Sequence, residues 1–257
     1  MARNLELNYY NQKGVWKNYD NNEREITRAK KTINLIPEDV GTVLDIGCGN
    51  GIITNMINLP FVVGIDFARI PLSQVKTNTI QASIDALPIK NSKFDLVILT
   101  EVLEHLDDET YIKAIKELKK LNARYYLITV PFKESIELDV CKCSKCGNLF
   151  NPSHHYRKFD ETWFIKEFTG YHLEKNEYTS YRSISNKFII KLKHRFGIYV
   201  YSKYCICNQC GNPALCPKIS LIRYILGGLS IIDYRLKETF NVRKPYHQII
   251  LLKRENE

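Results

Sequence analysis

Short apolar runs that stop at acidic or glycine residues alternate with helix-compatible segments over the first half of the chain. Thr42 to Ile46 leads into Gly47-Cys48-Gly49-Asn50-Gly51, Phe61 to Ile65 ends at Asp66, and a segment at about 79–84 reaches Asp85-Ala86. Phe94 to Thr100 ends at Glu101, and Tyr125 to Val130 is closed by Pro131. Continuous apolar runs of this length predict strands buried on both faces of a parallel sheet. Between them the spacing becomes helical. Ile26, Ala29, Ile33 and Ile36 predict a helix from Glu23 to Ile36, with Asn22 and Glu25 as a capping box and Pro37 as its stop. Ile52, Ile53, Met56 and Ile57 predict a helix after the glycine loop, and a polar helix is expected at 69–78. Ile112, Ile115, Leu118 and Leu121 share one face of a helix capped by Asp107 or Asp108. This alternation predicts an open α/β sheet, whose ligands bind beyond the carboxyl ends of the strands.

After Pro131 the alternation breaks twice. Residues 133–158 hold a cysteine cluster and His154-His155; a helix from Glu161 to Phe168 and a strand at roughly His172 to Tyr181 then resume the pattern. Residues 183–241 hold a basic stretch, a second cysteine cluster and an apolar helix from Ile219 to Phe240, whose 219–232 portion reads as core. Tyr246 to Lys253 is a final strand. The expected organisation is an N-terminal arm or lid over 1–28, carrying Tyr9, Tyr10, Trp16 and Tyr19, and a ligand-binding core at 29–132. A first insertion at 133–158, core again at 159–182, a second insertion at 183–241 and a last core strand with tail at 242–257 complete it.

Glycines at alternate positions permit φ > 0 and let a ligand lie against the backbone. Asp45 brings a carboxylate to the same crevice, and Asp66 can accept two hydrogen bonds from a ribose diol. The dinucleotide fingerprint G-x-G-x-x-G would place its third glycine at Ile52, which argues against NAD. The G-x-G-x-G spacing after Asp45 instead resembles the class I S-adenosylmethionine (SAM)-dependent methyltransferases. Within them it is similar to the type 11/12-like group that includes ubiquinone-type O-methyltransferases, strongly over 40–132 and weakly elsewhere. The resemblance implies an α/β, Rossmann-like, seven-stranded doubly wound sheet in which the last segment inserts antiparallel beside the fifth strand. It also implies SAM as cofactor. Asp45, Gly47, Cys48, Gly49 and Gly51 would hold its methionine portion, with Cys48 a loop filler rather than a reactive thiol. Asp66 would take the ribose hydroxyls, Asp85 and the backbone at Ala86 would face the adenine, and Phe67 and Thr100 complete the set.

Methyl transfer from a sulfonium needs the acceptor in line with the S–CH₃ bond. A hydroxyl or amine acceptor must also lose a proton. Glu101, Glu104 and His105 lie just beyond the fourth strand at i, i+3 and i+4 spacing. A Glu-x-x-Glu-His group with one more histidine can hold Mg²⁺ or Mn²⁺, as similar motifs do in small-RNA 2′-O-methyltransferases and some ubiquinone O-methyltransferases. In other relatives the first glutamate touches the cofactor and the histidine only orders the loop. His155 is a further candidate base and Arg157 a candidate anchor for an anionic substrate; a metal-binding or packing role is open for either histidine of the His154-His155 pair.

Of eight cysteines, Cys48 stands alone and seven fall in two clusters: Cys141, Cys143, Cys146, and Cys205, Cys207, Cys210, Cys216. Cys143-Ser144-Lys145-Cys146-Gly147 and Cys207-Asn208-Gln209-Cys210-Gly211 are one knuckle written twice. Two such pairs supply the four sulfurs of a structural Zn²⁺, so Cys143, Cys146, Cys207 and Cys210 are the leading ligands of a small zinc-bound insertion subdomain. Cys141, Cys205 and Cys216 are surplus, which leaves the choice of four open, and an iron–sulfur centre is the weaker alternative.

The net charge of +9 is concentrated: no acidic residue lies between Glu177 and Asp233, where Arg182, Lys187, Lys191, Lys193, Arg195, Lys203, Lys218 and Arg223 fall. Such a face suits nucleic acid, an anionic lipid surface, a phosphorylated substrate or simply solvent. No apolar run approaches the roughly 20 residues of a membrane span, and Met1 to Glu6 carry no apolar signal region, so a cytoplasmic location is expected. The leading expectation is SAM-dependent O- or N-methylation of a small-molecule, glycan or lipid-linked acceptor. The second is an RNA or other nucleic-acid methyltransferase, with Tyr199, Tyr201 and Tyr204 as stacking residues. Against it, no Asn/Asp-Pro-Pro-Tyr/Phe motif follows the fourth strand. The third is a non-catalytic SAM-binding or zinc-dependent interaction module, against which the intact Asp45, Gly47, Gly49 and Asp66 stand.

Overall fold

The computed structural model describes residues 2–17, 19–89, 94–184, 186–200, 204–212 and 220–255. Seven strands form one sheet: β1 Thr42–Ile46, β2 Phe61–Asp66, β3 Asn78–Gln81, β4 Leu96–Thr100, β5 Tyr125–Pro131, β6 Tyr171–Thr179 and β7 His247–Arg254. Their order is β3-β2-β1-β4-β5-β7-β6. The first five run parallel, whereas β7 is antiparallel to both β5 and β6. Strand order reverses between β1 and β4, which opens a crevice at their carboxyl ends.

Successive side chains of a strand point to opposite faces, and here both faces are covered. Leu44 and Ile46 of β1, with Val97, Leu99 and Ile128, pack against helix α3 (Asp108–Leu121) and helix α4 (Glu161–Glu167) through Leu118 and Phe164. Val43, Leu96, Ile98 and Leu127 face the other way, onto helix α2 (Glu23–Ile33) through Ala29 and onto Ile53. This is why the central strands read as unbroken apolar runs. The N-terminal segment is helical, not irregular: α1 (Ala2–Tyr10) and a short turn of helix at Lys13–Trp16 are followed by a 3₁₀ turn at Tyr19–Asn21.

Several helices are shorter than their spacing predicts. α2 spans Glu23–Ile33 and ends at Asn34, before Ile36; Asn22 caps the amide of Arg24, while Glu25 turns to Arg28, so no capping box closes. After the glycine loop only a 3₁₀ turn, Thr54–Met56, forms, because the link from Ile46 to Phe61 is short and the Thr54 hydroxyl is drawn down to Asp45. The polar helix expected at 69–78 is reduced to Arg69–Leu72: only Pro71 and Leu72 are buried there, Asn55 binds the amide of Lys76 in a non-helical path, and β3 already begins at Asn78. Asp107 does cap α3, but Ile112 is 55% exposed and the buried face is Ala114, Ile115, Leu118 and Leu121. The apolar segment read as core is helix α6 (Leu221–Thr239), of which only Leu226 is buried. Its polar side, not its apolar one, meets the body through Asn186–Asp233 and Ser183–Glu238 contacts. Among the described residues no helix is long and apolar enough to cross a membrane.

Candidate active site

The ends of β1, β2 and β4 and the N-terminal arm enclose a cavity of ≈ 360 Å³. Gly47, Cys48, Gly49 and Asn50 form one wall, Asp66 and Phe67 the next, and Tyr10, Trp16 and Tyr19 the roof. A second cavity, ≈ 410 Å³, lies away from the strand ends among residues of the second insertion. The first is the candidate site, because strand carboxyl ends and buried ionisable groups converge on it.

Gly47 and Gly49 have φ of +74° and +54°. A Cβ on Gly47 would lie 2.3 Å from Val102 Cγ2, and one on Gly49 would lie 2.9 Å from the Trp16 ring. The loop is therefore pressed between β4's exit and the arm, and no side chain fits at either position. The amides of Gly47 and Cys48 both donate to the Ile65 carbonyl, at 2.7 and 3.0 Å, pinning the loop to β2. Asp66 accepts from the Gly49 amide through Oδ2 and from the Ala68 amide through Oδ1, each at 2.8 Å. Each oxygen keeps a lone pair for a ligand. Burial pushes the Asp66 carboxyl up to about 6 against those amide hydrogen bonds.

The other expected cofactor residues are placed less uniformly. Thr100 and Phe67 line the cavity. Asp45 does not: it is buried beneath the loop, accepts from Thr54 Oγ1 at 2.6 Å, and burial raises it to about 6. Through Oδ2 it holds the loop's exit turn, while Oδ1 has no hydrogen-bond partner among the described residues. Gly51 serves that turn too, donating to the Cys48 carbonyl at 2.9 Å. At the third strand the wall is Ala82, Ser83 and Ile84, and Asp85 is hydrogen-bonded back to Ser83 rather than set in the wall with Ala86. Burial and neighbouring carboxylates push the Cys48 thiol far up, which makes it a poor nucleophile.

Raised carboxyls give a pH dependence with a definite sign. Asp45 and Asp66 hold a proton more tightly folded than unfolded, so the stability they contribute is complete below about pH 4 and lost as pH rises through about 6. Ribose recognition runs the other way, because an acceptor role favours the ionised Asp66. SAM affinity measured by calorimetry is expected to fall about tenfold from about pH 7 to about pH 5. A flat profile would remove Asp66 from the ribose.

The far wall carries the acid–base groups. Glu101 takes a left-handed backbone, φ +56°, and its amide donates to the Thr129 carbonyl at 3.0 Å. Its Oε2 lies 3.1 Å from His247 Nε2, and Thr129 Oγ1 donates to Oε1 at 3.3 Å. Burial opposes its ionisation, but His247, Arg28 and His155 outweigh that and hold the carboxyl well below its ordinary value. Arg28, 2% exposed, is itself held by Glu25 at 2.7 Å and Thr129 at 3.3 Å. Glu104 is fully buried, and neither carboxylate oxygen has a hydrogen-bond partner among the described residues. Burial, then the charge of Glu101, pushes it well up. Burial, then His155, pushes His105 well down, so His105 is neutral.

His155 completes the wall. Its Nδ1 lies 2.5 Å from Glu134 Oε2, both side chains are buried, and its ring meets that of His105 at 4.7 Å. Glu104, His105 and His155 each bring one ligand atom within 4.8 Å of the others. The expected trio of Glu101, Glu104 and His105 is thus regrouped: Glu101 belongs to His247, and His155 takes its place. His154 turns away to bind the Ile206 carbonyl at 2.8 Å. Arg157 donates through Nη2 to the Leu106 carbonyl at 2.8 Å and to Asp108 at 3.0 Å, lies 3.8 Å over the Tyr111 ring, and is not among the residues that line the cavity. Arg28, Glu134 and His247 escaped the sequence reading. Their only signals were a charged residue on a helix's apolar side, a carboxylate three residues past Pro131, and a histidine opening the final strand opposite Pro131.

The cysteine knuckles meet. Cys143 Sγ lies 3.6 Å from Cys210 Sγ, Cys146 Sγ lies 3.7 Å from Cys207 Sγ, and all four sulfurs are within 4.8 Å of one another. A tetrahedral site with Zn–S bonds of about 2.3 Å has sulfurs about 3.8 Å apart, so the set fits Zn²⁺. The knuckles also share their backbone: Gly147 and Gly211 donate to the carbonyls of Cys143 and Cys207, and those cysteines' amides donate to the carbonyls of Asn148 and Asn212. Cys141 is outside the quartet, its Sγ donating to the Val200 carbonyl at 2.9 Å, as is buried Cys205; Cys216 lies outside the described residues.

The sheet order, the antiparallel seventh strand and the glycine loop at the reversal point define a class I methyltransferase fold. Residues 44–125 match the family described as a methyltransferase domain. The chain is 34% identical over 98 residues to an uncharacterised protein of Methanocaldococcus jannaschii, covering 37% of this chain and 42% of that one. It is 30% identical over 110 residues to the ubiquinone biosynthesis O-methyltransferase of Bartonella quintana, covering 38% and 44%. These matches span less than half the length of the curated relatives. The solved structure of a SAM dependent methyltransferase from Archaeoglobus fulgidus is similar with a TM-score of 0.53 at 18% identity, covering 95% of this chain and 100% of that one. By fold, then, the chain is similar to the class I SAM-dependent methyltransferases, and its residues 44–125 carry the match to their methyltransferase domain.

Proposed function

We propose that the chain transfers a methyl group from SAM to a hydroxyl or amine of a small-molecule, glycan or lipid-linked acceptor, with His155 taking the acceptor's proton. The observation that carries this reading is the buried Glu134–His155 contact at the cavity wall. Glu134 accepts from Nδ1–H and so fixes the tautomer that leaves Nε2 free to receive a proton. SAM supplies the electrophilic methyl when bound. Asp66 accepts from its ribose, the backbone of Gly47 and Gly49 on the cavity wall takes its methionine portion, and Tyr10, Trp16 and Tyr19 close over it against water. The ubiquinone-pathway name of the Bartonella relative supports an O-methylated small molecule. Nucleic acid is less well served: Tyr199 stacks on His194 at 5.3 Å and is not free to receive a base, and Tyr201 lies outside the described residues.

Mass spectrometry of the purified protein with methyl-labelled SAM and a panel of phenolic, glycan and lipid intermediates tests the reading. Labelled product with loss of the methyl from SAM is expected. SAM uptake without turnover on any acceptor would favour the non-catalytic module, and label entering RNA would favour the nucleic-acid enzyme.

The Glu104 carboxylate, 3.9 Å from His105 Nε2 and without a hydrogen-bond partner among the described residues, favours a second reading of the same wall, a divalent cation held by Glu104, His105 and His155. Two imidazoles beside one carboxylate suit Mn²⁺ or Zn²⁺ better than Mg²⁺, which prefers an all-oxygen octahedron. Activity that survives exhaustive chelation would retire it.

The thiol quartet is proposed as a structural zinc site that staples the two insertions into one small subdomain. Cys143→Ser or Cys210→Ser should each release about one zinc ion per chain, read by metal analysis. Retention of the full metal content would refute the paired knuckles.

A further inference from the structure

Helix α6 is built inside out. Asp233 accepts from Asn186 Nδ2 at 3.2 Å and pairs with Lys237 at 2.6 Å, and Glu238 accepts from Ser183 Oγ at 2.6 Å, so its polar side lies on the protein. Leu221, Ile225, Leu229, Ile232 and Leu236 recur at spacings of four, four, three and four, which makes them a single stripe along the helix. They are 78%, 56%, 45%, 56% and 54% exposed. Single exposed leucines need no explanation, but a continuous apolar stripe on a monomer marks an interaction surface.

The neighbouring helix α5 (Lys187–Arg195) says what kind of partner fits. Lys187, Lys191 and Arg195, each one turn apart, are exposed along one side of it, and Phe188 beside them is 74% exposed. Among the described residues none of these three cations, nor Arg223 and Arg235 on α6, forms an ion pair. Both helices belong to or border the stretch between Glu177 and Asp233 that has no acidic residue. A second copy of the chain meeting this face about a two-fold axis would bring two basic rows together, which is repulsive. A nucleic acid would use the cations and leave the stripe in water.

We propose that α5 and α6 form a docking surface for an anionic lipid bilayer: the α6 stripe enters the headgroup–acyl boundary and the α5 row meets the lipid phosphates. The helix pair lies on the membrane and does not cross it, in keeping with the absence of a spanning helix among the described residues. The surface is independent of the choice of methyl acceptor and of the cavity at the strand ends.

Co-sedimentation with phosphatidylcholine vesicles, with and without phosphatidylglycerol, tests it on the full chain. Binding to the anionic vesicles is expected, weakening as salt is raised. The pair Ile225→Asp and Ile232→Asp should lower binding more than about tenfold. The pair Lys187→Glu and Lys191→Glu should erase the preference for phosphatidylglycerol. Both sets alter exposed positions, so SAM uptake and far-ultraviolet circular dichroism should match the parent. A parent protein that stays in the supernatant with every vesicle at low salt overturns the proposal. So does light scattering that shows a dimer converted to monomer by the isoleucine changes, with no vesicle binding by either form.

Discussion

Asp66→Ala should weaken SAM binding by at least about a hundredfold. Two hydrogen bonds from a ribose diol to a carboxylate contribute roughly 3 kcal/mol or more together. The same carboxylate organises its own surroundings by accepting the Gly49 and Ala68 amides. Asp66→Asn separates the two contributions. One amide oxygen still accepts, so the variant keeps much of the loop geometry while losing the charge, and an intermediate loss is expected. Calorimetry on both variants, with circular dichroism as a folding control, reads the difference. Equal affinity in Asp66→Ala and the parent would move the ribose away from β2.

His155→Ala should reduce turnover by roughly 10² to 10⁴, the range over which a positioned general base acts. SAM affinity should change little, because the bond that defines His155 runs to Glu134 and not to the glycine loop. Glu134→Gln is the sharper experiment. Its amide still reaches Nδ1 but can donate as well as accept, so the wrong imidazole tautomer becomes available, and kcat should fall while KM for SAM holds. If Glu134→Gln turns over like the parent, Glu134 only packs. If His155→Ala loses activity that added metal restores, the cation reading of Glu104, His105 and His155 gains the site.

The parallel part of the sheet and its glycine loop were legible because burial on both faces writes itself as unbroken apolar runs and because glycine is the residue that most readily takes the positive φ found at Gly47, Gly49 and Gly51. The cysteine quartet was legible for a similar reason: a knuckle is a local object, and its repetition at Cys143 and Cys207 survives a long loop between the copies. The bond that Asp45 accepts from Thr54 was not legible, since nothing in the sequence links the two residues. Glu101 was grouped with Glu104 and His105 by spacing alone. Its pairing with His247 depends on β7 entering the sheet beside β5, a contact between residues far apart in the chain. The most instructive failure is α6. Its period is that of a buried helix, and spacing says which residues share a face without saying which face is turned inward.

The roof over the cofactor cavity is not supported only from below. Gln12 donates to the Tyr204 carbonyl at 3.3 Å, the Tyr9 ring lies 5.3 Å from that of His154, and Leu5 Cδ2 sits 2.8 Å from where a Cβ on Gly211 would be. The arm that closes the cavity therefore leans on the second cysteine knuckle. A metal bound by the thiols and a cofactor bound under the arm would share one set of contacts, and any coupling between them would be equal in both directions. A chain short of zinc would then hold its cofactor more weakly while leaving every residue that lines the cavity intact, and metal supply would set how much cofactor the chain retains.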